Sequence, residues 1–481
     1  MEAPEDVSVR EQLFHDRVRE TIICVLVFVC LYIVSYLVIT HYKRTAEFTL
    51  DDSEDATVNK IALWLCTFTL SVSVGAVLLL PLSILSNEVL LSFPQSYYMQ
   101  WLNGSLIHEL WNLVFLFSNL SLVILLPFAY FFTESEGFAG SKKGVLGRLY
   151  ETAVVLFLLT LLVLGMVWVA SAILDDSMAR QSLYDLWEYY LPYLYSCISL
   201  LGVLLLLLCT PLGLSRMFSV TGSLLVKPRL LEDLDETLSC VHFEEASLSR
   251  KLNSKSHNIA YVLILFLLHL EMRKKASPWQ RNLGYPLAML LLLALTVVCV
   301  LIVCYHVVEL LFDDSAMPRG MQDPLLGAAS FSMFGSLGAA VQVVLILYLM
   351  ISSVVGFYSS PLFVGLRPHA QDTTLTQIIG NCVSLLVLSS ALPVFSRSLG
   401  ITRFDLLGDF GRYNWLGNFH IVFLYNILFA GLTSACLINT LTWTVQKELI
   451  RAFGLHKLPL TVSRSTIPLR LLLANEQSKI Q

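Results

Sequence analysis

The chain has 481 residues, 56% of them hydrophobic and 14% charged, with a formal net charge of -5. A soluble domain of ordinary composition carries about 25% charged residues, and charge placed in hydrocarbon costs several kcal/mol, so the deficit marks a chain built for a bilayer. The weakly negative balance lacks the concentrated basic surface that phosphate binding requires, which argues against nucleic acid as a partner.

In chain order, residues 1–20 alternate acids and bases (Glu11, Asp16, Arg17, Arg19, Glu20) and read as a polar helical extension of the first apolar run. That run, 21–42, is a full span of about 20 residues and exceeds the 7–15 of a signal-peptide core, so it is expected to be retained. Further runs cover 61–85, 111–132, 149–174 and 189–211. After a long break come 285–312, 331–357, 377–396 and 419–445. At 1.5 Å per residue each is long enough to cross ~30 Å of hydrocarbon as a helix. Strands would be half as long and would alternate polar with apolar residues. The predicted fold is therefore all-α, a polytopic integral membrane protein with nine transmembrane helices.

None of the 31 Lys and Arg falls inside those nine runs. Basic residues are retained on the cytoplasmic side. With the N-terminus outside and the C-terminus cytosolic, 23 of them lie inside and 8 outside. The break at 212–284 dominates this bias, with ten Lys and Arg. The chain thus divides into four regions: the N-terminal tail with spans one to five (1–211), a basic cytosolic loop (212–284), spans six to nine (285–445) and a cytosolic tail (446–481). Within the loop, residues 259–270 are apolar but cover only about 18 Å as a helix, so they are expected to lie on the membrane rather than cross it. In the tail, Leu449, Ile450 and Phe453 share a helical face with Arg451 and Lys457 nearby, which predicts an extension of the last helix along the inner leaflet.

Small residues one turn apart (Ser71 with Gly75, Gly335 with Ala339, Gly431 with Ala435) predict close helix contacts. Pro81, Pro127, Pro211, Pro286 and Pro393 read as terminators or kinks. Gln342, Asn381 and Asn426 are expected to hydrogen-bond between helices. Glu309, one turn after His306, is expected at the outer interface rather than in a proton relay. The ten cysteines form no CxxC pair and no outside framework, so they read as buried small hydrophobes.

Catalytic signatures are lacking: there is no GxSxG, HExxH, P-loop or Gly-rich nucleotide fingerprint. The chain is therefore not expected to be an enzyme, and no cofactor or metal is implied. The richest outer stretch is 397–418, where Arg403, Asp405, Asp409, Arg412 and Trp415 mix charge with apolar neighbours. It reads first as an interfacial cap on the bundle and second as the rim of a ligand-binding pocket. Asn103-Gly104-Ser105 matches the glycosylation acceptor on an outside loop.

Several stretches together carry a resemblance. SEGFAG (135–140), SLYDLWEYYLPYLYSCISL (182–200), CTPLGLSRMFSV (209–220), SSVVGFYS (352–359), IIGNC (378–382) and SSALPVFSRSLGITRFDLLGDFGRYNWLGNF (389–419) resemble the limb-region membrane protein family. The likeness covers nearly the whole chain. It implies a nine-helix plasma-membrane protein, endomembranes being the alternative, with a long central cytosolic loop. For the receptor branch it implies binding and endocytic uptake of an extracellular lipocalin, a carrier of small apolar molecules. Two rival readings remain: a carrier or conduit for a small apolar ligand, and a membrane scaffold for signalling. Residues 212–284 are the candidate surface for cytosolic partners, and membrane lipid is a partner throughout.

Overall fold

A computed structural model describes residues 4–44, 53–93, 101–135, 145–174, 186–224, 284–312, 336–402 and 418–452. These residues form α1 (Pro4–Tyr42), α2 (Ser53–Ser92), α3 (His108–Leu120), α4 (Leu126–Glu134), α5 (Val145–Leu174), α6 (Leu186–Leu224), α7 (Tyr285–Phe312), α8 (Ser336–Ser359), α9 (Leu375–Ser390), α10 (Leu392–Ser398) and α11 (Phe419–Ala452). π-helical turns at Leu102–Ile107 and Ser121–Leu125 join α3 to its neighbours, so the third apolar run is one nearly continuous rod. Extended pairing among the described residues is confined to one parallel bridge between Lys43 and Thr373.

Nine helical segments among the described residues are long and apolar enough to cross a membrane. They coincide with the nine predicted runs, α9 and α10 together making the eighth. Several helices continue well past the hydrocarbon. α2 has 40 residues, about 60 Å of helix, twice what ~30 Å of hydrocarbon requires. α1 begins at Pro4, so the polar tail does extend the first span. α6 runs on past Pro211 to Leu224, and α11 continues to Ala452. Pro211 therefore does not terminate its helix, and Pro81 likewise lies inside α2.

The packing has a centre and a rim. α2, α6, α8 and α9 form the centre, with α6 against α8 as the most extensive pairing. α1 lies on α2, α5 lies on α4, and α7 and α11 lie on α6. Within an 18-residue apolar window of each span, 78% of the eighth is buried, against 11% of the first and 17% of the sixth. The rim helices turn Leu26, Leu158 and Leu301 outward, as a helix apolar all round does when lipid is its solvent.

The predicted small-residue contacts divide. A Cβ on Gly75 would meet only the Leu31 side chain of α1, at 3.4 Å and in ordinary contact, so α1 lies alongside without the close backbone approach that was expected. Gly431 faces open space, so its pairing with Ala435 brings no helix close. Gly335 lies outside the described residues. The tightest approaches fall instead on Gly213 and Gly356, where α6 and α8 cross. Beside them the Thr210 and Ser353 hydroxyls pair at 2.8 Å. Between hydrocarbon-soaked helices no hydrophobic force drives association, so close backbone packing and such hydrogen bonds supply the adhesion.

Candidate functional site

The eighth span is the axis of the bundle, and its sequence explains its break. Thr374 starts α9 with a capping box: its hydroxyl accepts from Gln377 N–H at 3.4 Å, and Gln377 Oε1 accepts from Thr374 N–H at 3.2 Å. Pro393 then interrupts the run. Proline has no N–H to offer the carbonyl four residues earlier, and its ring crowds that carbonyl. Ala391 separates α9 from α10, and at this break Tyr195 of α6 donates to the Ser390 carbonyl at 2.9 Å. A non-helical backbone at membrane depth survives only where protein buries it, and here it is buried.

α10 ends in a Schellman turn. Gly400 takes φ +72°, its N–H bonds to Arg397 O at 3.1 Å, and Ile401 N–H bonds to Ser396 O at 3.0 Å. Gly400 is demanded twice over, because a Cβ there would also stand 2.5 Å from Cγ of His306. His306 is 4% exposed and closes over the turn from α7. From α8, Gln342 Nε2 donates to Ile401 O at 3.1 Å. From α11, Asn426 Nδ2 donates to Ser398 O at 2.8 Å. Thr402 and Ser396 hydroxyls pair at 3.0 Å. Three rim and centre helices thus hold one turn.

The opposite end of the same span is held too. Asn381 Oδ1 accepts from the Tyr358 hydroxyl at 3.0 Å, while its Nδ2 donates to Leu366 O at 2.7 Å. Lys43 pairs with Thr373, and Arg44 lies 3.7 Å from Asp372. The expectation that Gln342, Asn381 and Asn426 bond between elements is met at all three.

At the end of the bundle that carries the N-terminus, the π-helical turn brings Trp101 to α1. The Arg19 guanidinium sits 3.7 Å above the Trp101 ring, and Trp101 Nε1 donates to Glu20 Oε1 at 3.1 Å. Glu20 is only 7% exposed. This clamp was not legible in the sequence, where Trp101 reads as one loop aromatic among others.

Arg403, Asp405, Asp409, Arg412 and Trp415 lie outside the described residues. Their segment leaves from buried Thr402 and returns at Asn418, whose side chain accepts from His420 N–H at 3.1 Å. Asn103 falls within the π-helical turn Leu102–Ile107. The apolar stretch 259–270 is also outside the described residues. Among the described residues, no group of three or more His, Cys, Asp and Glu could hold a metal ion, and Glu20 is the one charged side chain that is buried.

The interior among the described residues offers hydroxyls, amides and carbonyls, many of them bonded to one another and some, such as both side-chain polar atoms of Asn119, without a partner. Such a lining suits contact with apolar or weakly polar molecules.

Comparison with known proteins agrees with this architecture. The profile of the LMBR1-like membrane protein family matches residues 20–266 and 265–441, two segments that meet inside the apolar stretch 259–270. The chain is 79% identical to the limb region 1 homolog-like protein of Danio rerio over 99% of both chains. It is 70% identical to protein LMBR1L of Homo sapiens over 96% of this chain and 98% of that one. The human limb region 1 protein homolog is 60% identical over 96% of each. No solved structure matches the chain. With a nine-span apolar bundle, a profile match over nearly its whole length and full-length relatives of this identity, the chain belongs to the LMBR1-like membrane protein family.

Proposed function

We propose that the protein is a multi-pass cell-surface receptor that binds an extracellular lipocalin and carries it into the cell by endocytosis. The support is the receptor-branch resemblance together with one structural observation: the eighth span is the most buried of the nine. Of its 18-residue apolar window 78% is buried, Tyr195 bonds to its backbone at the break, and Gln342 and Asn426 bond to the turn at its end. A span packed in this way suits a protein that docks its ligand at a surface. With the N-terminus outside, the docking face comprises the α1 extension, the Trp101 clamp and the 403–417 segment.

Uptake of a labelled lipocalin by cells that express the protein, compared with cells that lack it, tests the reading directly. Expression is expected to raise uptake several-fold. Equal uptake at equal surface expression removes the receptor assignment.

A second reading, a conduit for a small apolar ligand, draws on the break itself. Discontinuous helices near the middle of the membrane are a frequent feature of carriers. Vesicles holding only the purified protein are then expected to move ligand without a protein partner. The scarcity of buried charge among the described residues disfavours an ion-coupled version.

A further inference from the structure

The connection between α8 and α9 presents apolar side chains where polar ones would be ordinary. Leu362 is 78% exposed and Val364 57% exposed, while Phe363 between them turns inward and stacks on Phe357 with ring centroids 4.3 Å apart. Leu366 tucks under the loop against Gly380. The tip is held in this form. Ser360, Phe363, Leu366 and Arg367 donate their N–H groups to carbonyls at most four residues earlier, at 2.9–3.2 Å. Gln377 and Asn381 of α9 reach across to the carbonyls of Gly365 and Leu366 at 3.2 and 2.7 Å.

A backbone that satisfies its own polar groups can enter a region poor in water at low cost, whereas an ordinary loop cannot. A rigid turn that points Leu362 and Val364 outward also keeps them there, since collapse onto the bundle would break those bonds.

The location selects the occupant. The apolar window of α8 ends at Ser359 and that of the eighth span starts at Leu375, so residues 360–374 lie at the membrane surface. Arg367 comes just after the tip and is exposed. The one carboxylate of the connection, Asp372, lies 3.7 Å from Arg44. Apolar residues beside a cation, at headgroup depth, match the chemistry of an anionic phospholipid.

We propose that this connection is a lipid-inserting finger: Leu362 and Val364 enter the boundary between headgroups and acyl chains, and Arg367 engages an anionic phospholipid headgroup. The finger fixes the depth of α8 and α9 in the leaflet, and with them the depth of the broken axis. It stands independently of the receptor reading.

The test uses full-length protein in vesicles of phosphatidylcholine and phosphatidylserine. The photo-crosslinking amino acid p-benzoylphenylalanine is placed at position 362 and, in a second variant, at 364. Irradiation is expected to add the mass of one phospholipid to the intact protein in either variant. The same probe at Gln371, exposed beyond the tip, is expected to add much less. Phosphatidylserine is expected to be captured about fivefold beyond its share of the bilayer, the equivalent of the ~1 kcal/mol that one basic residue gains near an anionic surface. Arg367→Gln is expected to erase that excess while leaving capture at 362 intact. Absence of lipid adducts at both 362 and 364 overturns the insertion, as does capture at Gln371 equal to that at the tip. Adducts to a second copy of the chain instead of lipid assign the tip to a protein interface and also overturn it. Capture in proportion to bilayer composition overturns the role of Arg367.

Discussion

The backbones of Gly213 and Gly356 touch where α6 crosses α8. A methyl group on Gly356 would stand 2.7 Å from the amide nitrogen of Gly213 and nearer still to the carbonyl oxygen of Cys209. Neither neighbour is a flexible side chain that could move aside. Two opposed effects bear on Gly356→Ala. Alanine favours a helix over glycine by about 1 kcal/mol, while overpacking costs about 1–3 kcal/mol or more. With backbone on both sides the second effect wins. Gly356→Ala and Gly213→Ala are each expected to lower the thermal midpoint of the detergent-solubilised protein, and Gly356→Leu is expected to abolish the folded peak in size-exclusion chromatography. Gly431→Ala, which faces open space, is the control and is expected to leave the midpoint unchanged or slightly raised.

Asn426 and Gln342 grip the same turn from different helices. Asn426→Ala withdraws a 2.8 Å bond from the Ser398 carbonyl, and Gln342→Ala withdraws a 3.1 Å bond from the Ile401 carbonyl. Side-chain hydrogen bonds between membrane helices contribute about 0.6 kcal/mol on average and up to about 1.7. Each variant is expected to lose stability in that range. Because both bonds hold one turn, the double variant is expected to depart from additivity by about 0.5 kcal/mol or more. A double-mutant cycle on unfolding midpoints measures this, and additivity would show that the two ends of the turn move separately.

Asn119 presents the opposite case. It is 1% exposed, and among the described residues neither of its side-chain polar atoms has a hydrogen-bond partner. A buried polar group left unsatisfied costs about 1–3 kcal/mol. Asn119→Leu keeps the side chain's length and branching and removes the penalty, so it is expected to raise the thermal midpoint. A lower midpoint would mean that the amide is engaged in the membrane.

The threading predicts which ends are reached from outside. With 23 of 31 basic residues on one side, an N-terminal tag is expected to stain intact cells and a C-terminal tag to stain only after permeabilisation. Staining of the C-terminal tag on intact cells would reverse the assignment and remove the α1 extension from the proposed docking face.

How much of the fold was legible in advance depends on the kind of force involved. The nine spans were readable because burial in lipid is a property of composition: a run of about 20 apolar residues has few other fates. The break in the eighth span was readable in outline from Pro393, since the missing N–H is local. Gln342, Asn381 and Asn426 were readable as interhelical donors because an amide in hydrocarbon must find a partner. Of the two roles open to Pro211, terminator and kink, the first fell, because a helix interior in a membrane can tolerate proline where neighbours satisfy the freed carbonyl.

The sequence by itself determined the nine helical segments, among the described residues, that are long and apolar enough to cross a membrane, a consequence of near-neighbour chemistry along the chain. Only the tertiary structure decided which glycines are close contacts, which helix becomes the axis and which carbonyl each amide serves. Gly213, Gly356 and Gly431 look alike in sequence, yet two touch a foreign backbone and one touches nothing. Helices in lipid lack a one-sided apolar stripe to announce their partners, so facing and rotation emerge from packing between segments far apart in the chain.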